Sequence, residues 1–199
     1  MARTIGGHRT CSGLSPLGVR QSEALRDRWT AAPEFTPDLV IASEFRELAR
    51  PPRSCPVRSM PRTSSPSPAS TSTTPGGCDG MSMADFVDRY GTGSWEEDPF
   101  GVTFRGETIA AFHFRVGSTV RRITDEHAGA TIVVFCHGGV IDSVLRLALR
   151  AAPTGVFNIN TLNTSITELE LVKPHHWALR RYGGTAHLHG LPVATNVED

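Results

Sequence analysis

The apolar, β-branched run Thr131 to Phe135, followed at once by Cys136, His137, Gly138 and Gly139, constrains this chain most. A continuous run of that kind reads as a strand buried on both faces of a parallel sheet. The residues after the glycines, Val140 to Leu149, carry a helical apolar pattern. The sequence therefore predicts a strand, a tight turn and a helix, with His137 at the carboxyl end of the strand. Ligands of open α/β sheets bind at that position. The free N–H groups and dipole of a helix N-terminus favour an anion such as phosphate there. Gly138 and Gly139 leave room for a ligand to approach the backbone. The plain alternative is an ordinary β–α turn with an incidental histidine.

The rest of the chain is consistent with one α/β domain of 199 residues. Ser15 can cap a helix with Pro16 at its first position, running to about Trp29 and placing Leu25 and Trp29 one turn apart. Residues 38–43 read as a strand. Ser82 and Asp85 make a capping-box-like start for a helix with Met83, Phe86, Val87 and Tyr90 on one face. Ile109, Phe112, Val116, Val120 and Ile123 form the stripe of a longer helix. Ser165 to Val172 and Trp177 to Tyr182 read as strands. There are no internal repeats.

Composition excludes several function classes. Formal net charge is zero, so charge gives no argument for nucleic acid or an acidic membrane. No apolar stretch is long enough to span a bilayer, and the first residues lack an apolar signal core. Cys11, Cys55, Cys78 and Cys136 are scattered without C-x-x-C spacing, so neither a zinc site nor a disulfide framework is expected. Cytoplasm is the default compartment. One stretch breaks the pattern: Pro51 to Pro75 contains no Asp, Glu, Leu, Ile or aromatic residue. Such a composition cannot bury enough apolar surface to offset chain entropy, so the sequence predicts a disordered linker or inserted loop.

In order along the chain, several segments are similar to motifs of the histidine phosphatase superfamily, the phosphoglycerate-mutase-like group. GLSPLGVRQSEAL (13–25) resembles its p-L-T-x-x-G-x-x-Q-A-x-x-L segment, and DLVIASEF (38–45) its D-x-v-x-S-S-P-L strand. CDGMSMADF (78–86) and RGETIAAFHFRV (105–116) resemble w-E-G-l-s-x-x-e-l and G-G-E-S-x-x-x-x-x-x-R-v. VVFCHGGVI (133–141) resembles v-x-S-H-G-G-x-i, while NTSITELEL (163–171) and TAHL (185–188) are similar to the closing strand and tail.

The resemblance implies a three-layer α/β/α sandwich with a mainly parallel sheet. It also implies phosphomonoester hydrolysis or mutase-type phosphoryl transfer through a phosphohistidine, without metal or other cofactor. The partner would be a phosphorylated small molecule, with no nucleic acid or membrane involved. His137 maps onto the second active-site histidine, which helps to hold the phosphoryl oxygens. Gly138 and Gly139 belong to the same motif, and Glu107 and Thr108 match a segment bordering the pocket. A glutamate at a helix N-terminus is also expected for dipole reasons. Cys136 stands where the family has Ser or Thr. His8, His113, His127, His175, His176 and His189 match nothing catalytic, and His187 falls in the tail motif with a structural role.

Three family features are missing. Leu14 fills the leucine of the p-L-T segment, so the R-H-G motif with the nucleophile, and the first strand, would fall upstream of Met1. The R-A-x-x-T-A pattern is absent at 47–52, and position 72, where the acid is expected, is Ser. Both reappear on paper in one alternative frame. Codons for Arg46 to Cys55, read one base earlier, permit R-A-x-x-T-A from position 47, and those for Ser72 to Gly76 permit a glutamate at position 72. The sequence thus predicts a single histidine-phosphatase-like domain over 1–199, truncated at its start and frameshifted between about 47 and 76. As written it would be inactive. The alternative is a non-catalytic pseudoenzyme that binds a phosphorylated ligand.

Overall fold

The structure is a computed structural model that describes residues 4–6, 10, 13–42, 76–91, 100, 106–154, 157 and 159–192. The Pro51–Pro75 stretch, positions 47–52 and 72, Ser43 and His8 lie outside the described residues. The fold is the expected α/β sandwich, with helices flanking a central, mainly parallel sheet. In chain order the elements are α1 (Pro16–Ala31), β1 (Leu39–Ala42), α2 (Met83–Tyr90), α3 (Ile109–Glu126), β2 (Ile132–Phe135), α4 (Gly138–Leu149), β3 (Ile166–Lys173) and β4 (His176–Gly184).

Strand β1 pairs in parallel with β2, Leu39 opposite Ile132 through Ala42 opposite Phe135. Asp38 sets this register. Its backbone N–H donates to the Thr131 carbonyl at 2.8 Å, and its carboxylate accepts from the Thr131 N–H at 2.8 Å. Leu39, Val40 and Ile41 are buried, as a β-branched central strand should be. Strand β2 is less covered, and Val134 is 44% exposed. Among the described residues β2 is paired along one edge, by β1, and β3 and β4 form a separate antiparallel hairpin.

The helices start where local chemistry dictates. Ser15 accepts from the Gly18 N–H at 3.1 Å and Ser82 from the Asp85 N–H at 3.0 Å, each holding an otherwise unpaired first-turn donor. Thr108 does the same for α3, accepting from the Ala111 N–H at 3.0 Å. The α3 stripe is confirmed, with Phe112 and Val116 buried against Val140 of α4. The α2 face is narrower than its periodicity predicts. Phe86 is buried, but Val87 and Tyr90 are more than a third exposed, because only Met83 and Phe86 reach the small cluster around Ile5 and Cys78.

That cluster involves a long-range pairing. Residues 4–6 run antiparallel to 80–82: Ile5 donates to the Met81 carbonyl and accepts from the Gly80 N–H, each at 2.8 Å. Gly80 adopts φ +93°, a conformation that side chains disfavour, and a Cβ there would meet Thr10 at 2.9 Å.

Candidate active site

The site is built where β2 ends. Helix α4 starts at Gly138, two residues earlier than its apolar pattern suggests, so both glycines form its first turn. His137 is the N-cap residue, with extended backbone (φ −97°, ψ 161°), and its side chain makes no capping hydrogen bond. Its carbonyl accepts from Val140 at 3.0 Å and Ile141 at 3.3 Å. The N–H groups of Gly138 and Gly139 precede any possible intrahelical acceptor and lie at the positive end of the helix dipole. His137 and Gly138 are half-buried and Gly139 is exposed, so a solute can reach the turn.

Helix α3 brings a second N-terminus to the same place. Phe112 lies against Gly139, His113 against Ser143 and Gly117 against Leu147. Contacts that advance in step along both chains mean that α3 and α4 run in the same direction. A right-handed α/β layer produces this arrangement, since each helix returns antiparallel to the strand it packs on. The two positive helix ends therefore face one region, beside His137.

Of the residues expected from sequence, His137, Gly138 and Gly139 form one continuous turn. Glu107 and Thr108 are joined to it through α3. The Thr108 hydroxyl caps α3. The Glu107 carboxylate meets Arg115 edge to edge, Oε1 to Nε at 2.9 Å and Oε2 to Nη2 at 2.6 Å. Arg115, which the sequence reading left without a role, also stacks over Phe112, its guanidinium carbon 5.2 Å from the ring centroid. No helical spacing signals this pair, because Glu107 precedes the Thr108 N-cap and so lies off the repeat that Arg115 follows.

Behind the turn the wall is dry. Cys136 packs on the Phe112, Val116 and Val140 cluster, and burial pushes its thiol up to about 12, so it stays protonated and a weak nucleophile. His113 is buried and meets Ser143 Oγ through Nδ1 at 2.9 Å. Arg146, also buried, pairs with Asp142 at 2.8 Å and donates to the carbonyls of Ala152 (3.3 Å) and Phe157. These groups tie α4 to the connection that follows it.

The other histidines are placed structurally. His127 is the C-cap of α3, His175 sits at φ +62° between β3 and β4, His176 begins β4 and His189 is exposed. His187 approaches Thr164 Oγ1 at 3.4 Å through Nε2. Among the described residues, no group of three or more His, Cys, Asp or Glu is placed to hold a metal ion. No described helix is long and apolar enough to cross a membrane.

Comparison with known proteins agrees with this architecture. The chain is 35% identical over 83 residues to phosphoglycerate mutase-like protein 4 of Arabidopsis thaliana, a match covering 42% of this chain and 35% of that protein. The matched region is thus about a third of the relative's length. Its backbone resembles the α-ribazole phosphatase of Shigella flexneri (TM-score 0.77, 18% identity, 92% of this chain and 90% of that one). It also resembles the native mycobacterial glucosyl-3-phosphoglycerate phosphatase (TM-score 0.71, 18% identity, 92% and 91%). At such identities the likeness establishes the fold alone. The family model for the histidine phosphatase superfamily, branch 1, matches residues 73–185, more than half of the sequence and all of the turn at His137. The chain belongs to the histidine phosphatase superfamily, branch 1.

Proposed function

We propose that this protein handles phosphomonoesters, with the phosphoryl group seated at the turn His137-Gly138-Gly139. The observation that carries this reading is the convergence of two helix N-termini at the carboxyl end of an apolar parallel strand, beside a half-buried histidine. The Gly138 and Gly139 N–H groups would donate to the phosphoryl oxygens, and His137 would add a donor from the side. Glu107 and Thr108 border the seat from the start of α3.

Such a site stabilises the charge that develops on phosphorus-bound oxygen during transfer. The reaction also needs a nucleophile and an acid. In the family reading a histidine nitrogen forms the N–P bond as the ester P–O bond breaks, and a carboxylic acid gives its proton to the leaving oxygen. Water then cleaves the N–P bond, releasing phosphate and restoring the histidine. The 199 residues contain no R-H-G motif for this role. We assign the missing arginine and glutamate to the alternative frame across about 47–76, and the nucleophile to an R-H-G segment that a restored protein has to supply. Cytoplasm remains the expected compartment.

Two proteins test this reading on p-nitrophenyl phosphate between about pH 5 and 8: the chain as written and one extended and frame-restored. The first should show negligible turnover. The second should turn over at roughly one per second or more, without added metal, and carry acid-labile, base-stable phosphate on histidine. A restored protein that folds and binds phosphate but never forms phosphohistidine would leave the non-catalytic, phospho-ligand-binding alternative. Turnover by the chain as written that His137→Ala abolishes would overturn the assignment of the nucleophile.

A further inference from the structure

Arg115 is placed to influence the turn without belonging to it. One face of its guanidinium lies over the Phe112 ring, 5.2 Å from the centroid. That same ring stands next to Gly139: a Cβ there would lie 3.7–3.8 Å from its edge. The guanidinium also holds both oxygens of Glu107, at 2.9 and 2.6 Å, in a pair whose side chains are only 24% and 16% exposed. Glu107 lies at the N-terminus of α3, at the end where α4 also starts. An uncompensated carboxylate there would repel an anion approaching the Gly138 and Gly139 N–H groups. In a partly dry setting that repulsion is not screened away.

We infer that Arg115 is a positioning residue of the phosphate seat, neutralising Glu107 and bracing the Phe112 ring behind the glycine turn. The inference rests on the phosphate reading above. It assigns Glu107 an indirect role, since both oxygens of its carboxylate are engaged by the arginine. A bidentate, partly buried Arg–carboxylate pair has well-defined geometry and resists replacement by lysine, which offers a point charge and no fork.

The test uses the full chain and inorganic phosphate, titrated while the Gly138 and Gly139 amides are followed by NMR. Arg115→Met should weaken binding on the order of tenfold, the scale of one uncompensated charge beside a partly buried anion. Glu107→Gln alone, which removes the repelling carboxylate and leaves the Arg115 cation uncompensated, should tighten it. The double variant should recover affinity to within about threefold of the parent, a rescue that loss of packing would not allow. Arg115→Lys, which keeps the cation, should fall between; with the double variant it decides the matter if Arg115→Met does not fold. Parent binding with no change in Arg115→Met would overturn the inference alone. So would a double variant as weak as Arg115→Met, or a Glu107→Gln loss of equal size, which would make Glu107 a direct ligand. No response of Gly138 or Gly139 in the parent would overturn the phosphate reading, and this role with it.

Discussion

Replacing His113 with Phe should destabilise the protein and flatten its pH dependence. The substitution keeps an aromatic ring on the buried stripe of α3 but removes the nitrogen that Ser143 Oγ meets at 2.9 Å. Ser143 is fully buried, so water cannot take that place. Losing a net hydrogen bond and leaving buried groups partly unsatisfied costs about 1–3 kcal/mol. Ser143→Ala should cost less, and a double-mutant cycle should show a coupling of about 1 kcal/mol. Burial lowers the His113 pKa, the negative Asp142 opposes that shift and the positive Arg146 reinforces it. The unfolded chain therefore binds the proton more readily than the native one. Stability is greatest above the unfolded histidine pKa of about 6.5 and is lost as pH falls through and below it. The lost slope is at most about 1.4 kcal/mol per pH unit for one proton. Urea denaturation at pH 7.5 and at successive steps down to pH 5 measures both effects. An unchanged midpoint at pH 7.5, or the same slope with and without His113, would refute the account of this pair.

Three further outcomes are expected. Gly139→Ala should stabilise the fold by about 0.5–1 kcal/mol, because its Cβ would make ordinary contact with Phe112 and alanine suits a helix better; a shift of the urea midpoint measures the gain. Glu34, which links Arg181 of β4 to Arg28 of α1, has its pKa lowered first by Arg181 and then by Arg28. Its contribution is present above the unfolded carboxylate pKa and is lost as pH falls below it; solvent screening limits Glu34→Gln to about 0.2–1 kcal/mol, and thermal melts in high salt should erase the difference. Limited proteolysis should cut first at Arg53, Arg58 or Arg62, on the composition of Pro51–Pro75; protection of these arginines while α3 or α4 is cut would contradict that expectation.

Features set by neighbours in the chain were legible from the sequence. The strand–glycine–helix transition at 131–149 needs only a β-branched run, two glycines and a helical stripe, all contiguous. The caps at Ser15 and Ser82 are bonds across three residues, so composition alone locates them. The ordered motifs likewise identified the family. Tertiary structure decided what depends on which faces meet. His113 matched no motif, yet Ser143, thirty residues away, makes it the buried link between α3 and α4. Val87 and Tyr90 carry the right period but stay exposed, because periodicity defines a face and not the extent of what covers it. Glu107 could be read from sequence as a pocket residue; the turn entering α3 folds it back onto Arg115, and the packing of α3 on α4 sets Phe112, the ring that Arg115 covers, against Gly139. Local propensity is encoded by adjacent residues, whereas the charge balance of a site depends on long-range contacts that exist only once the layers have packed.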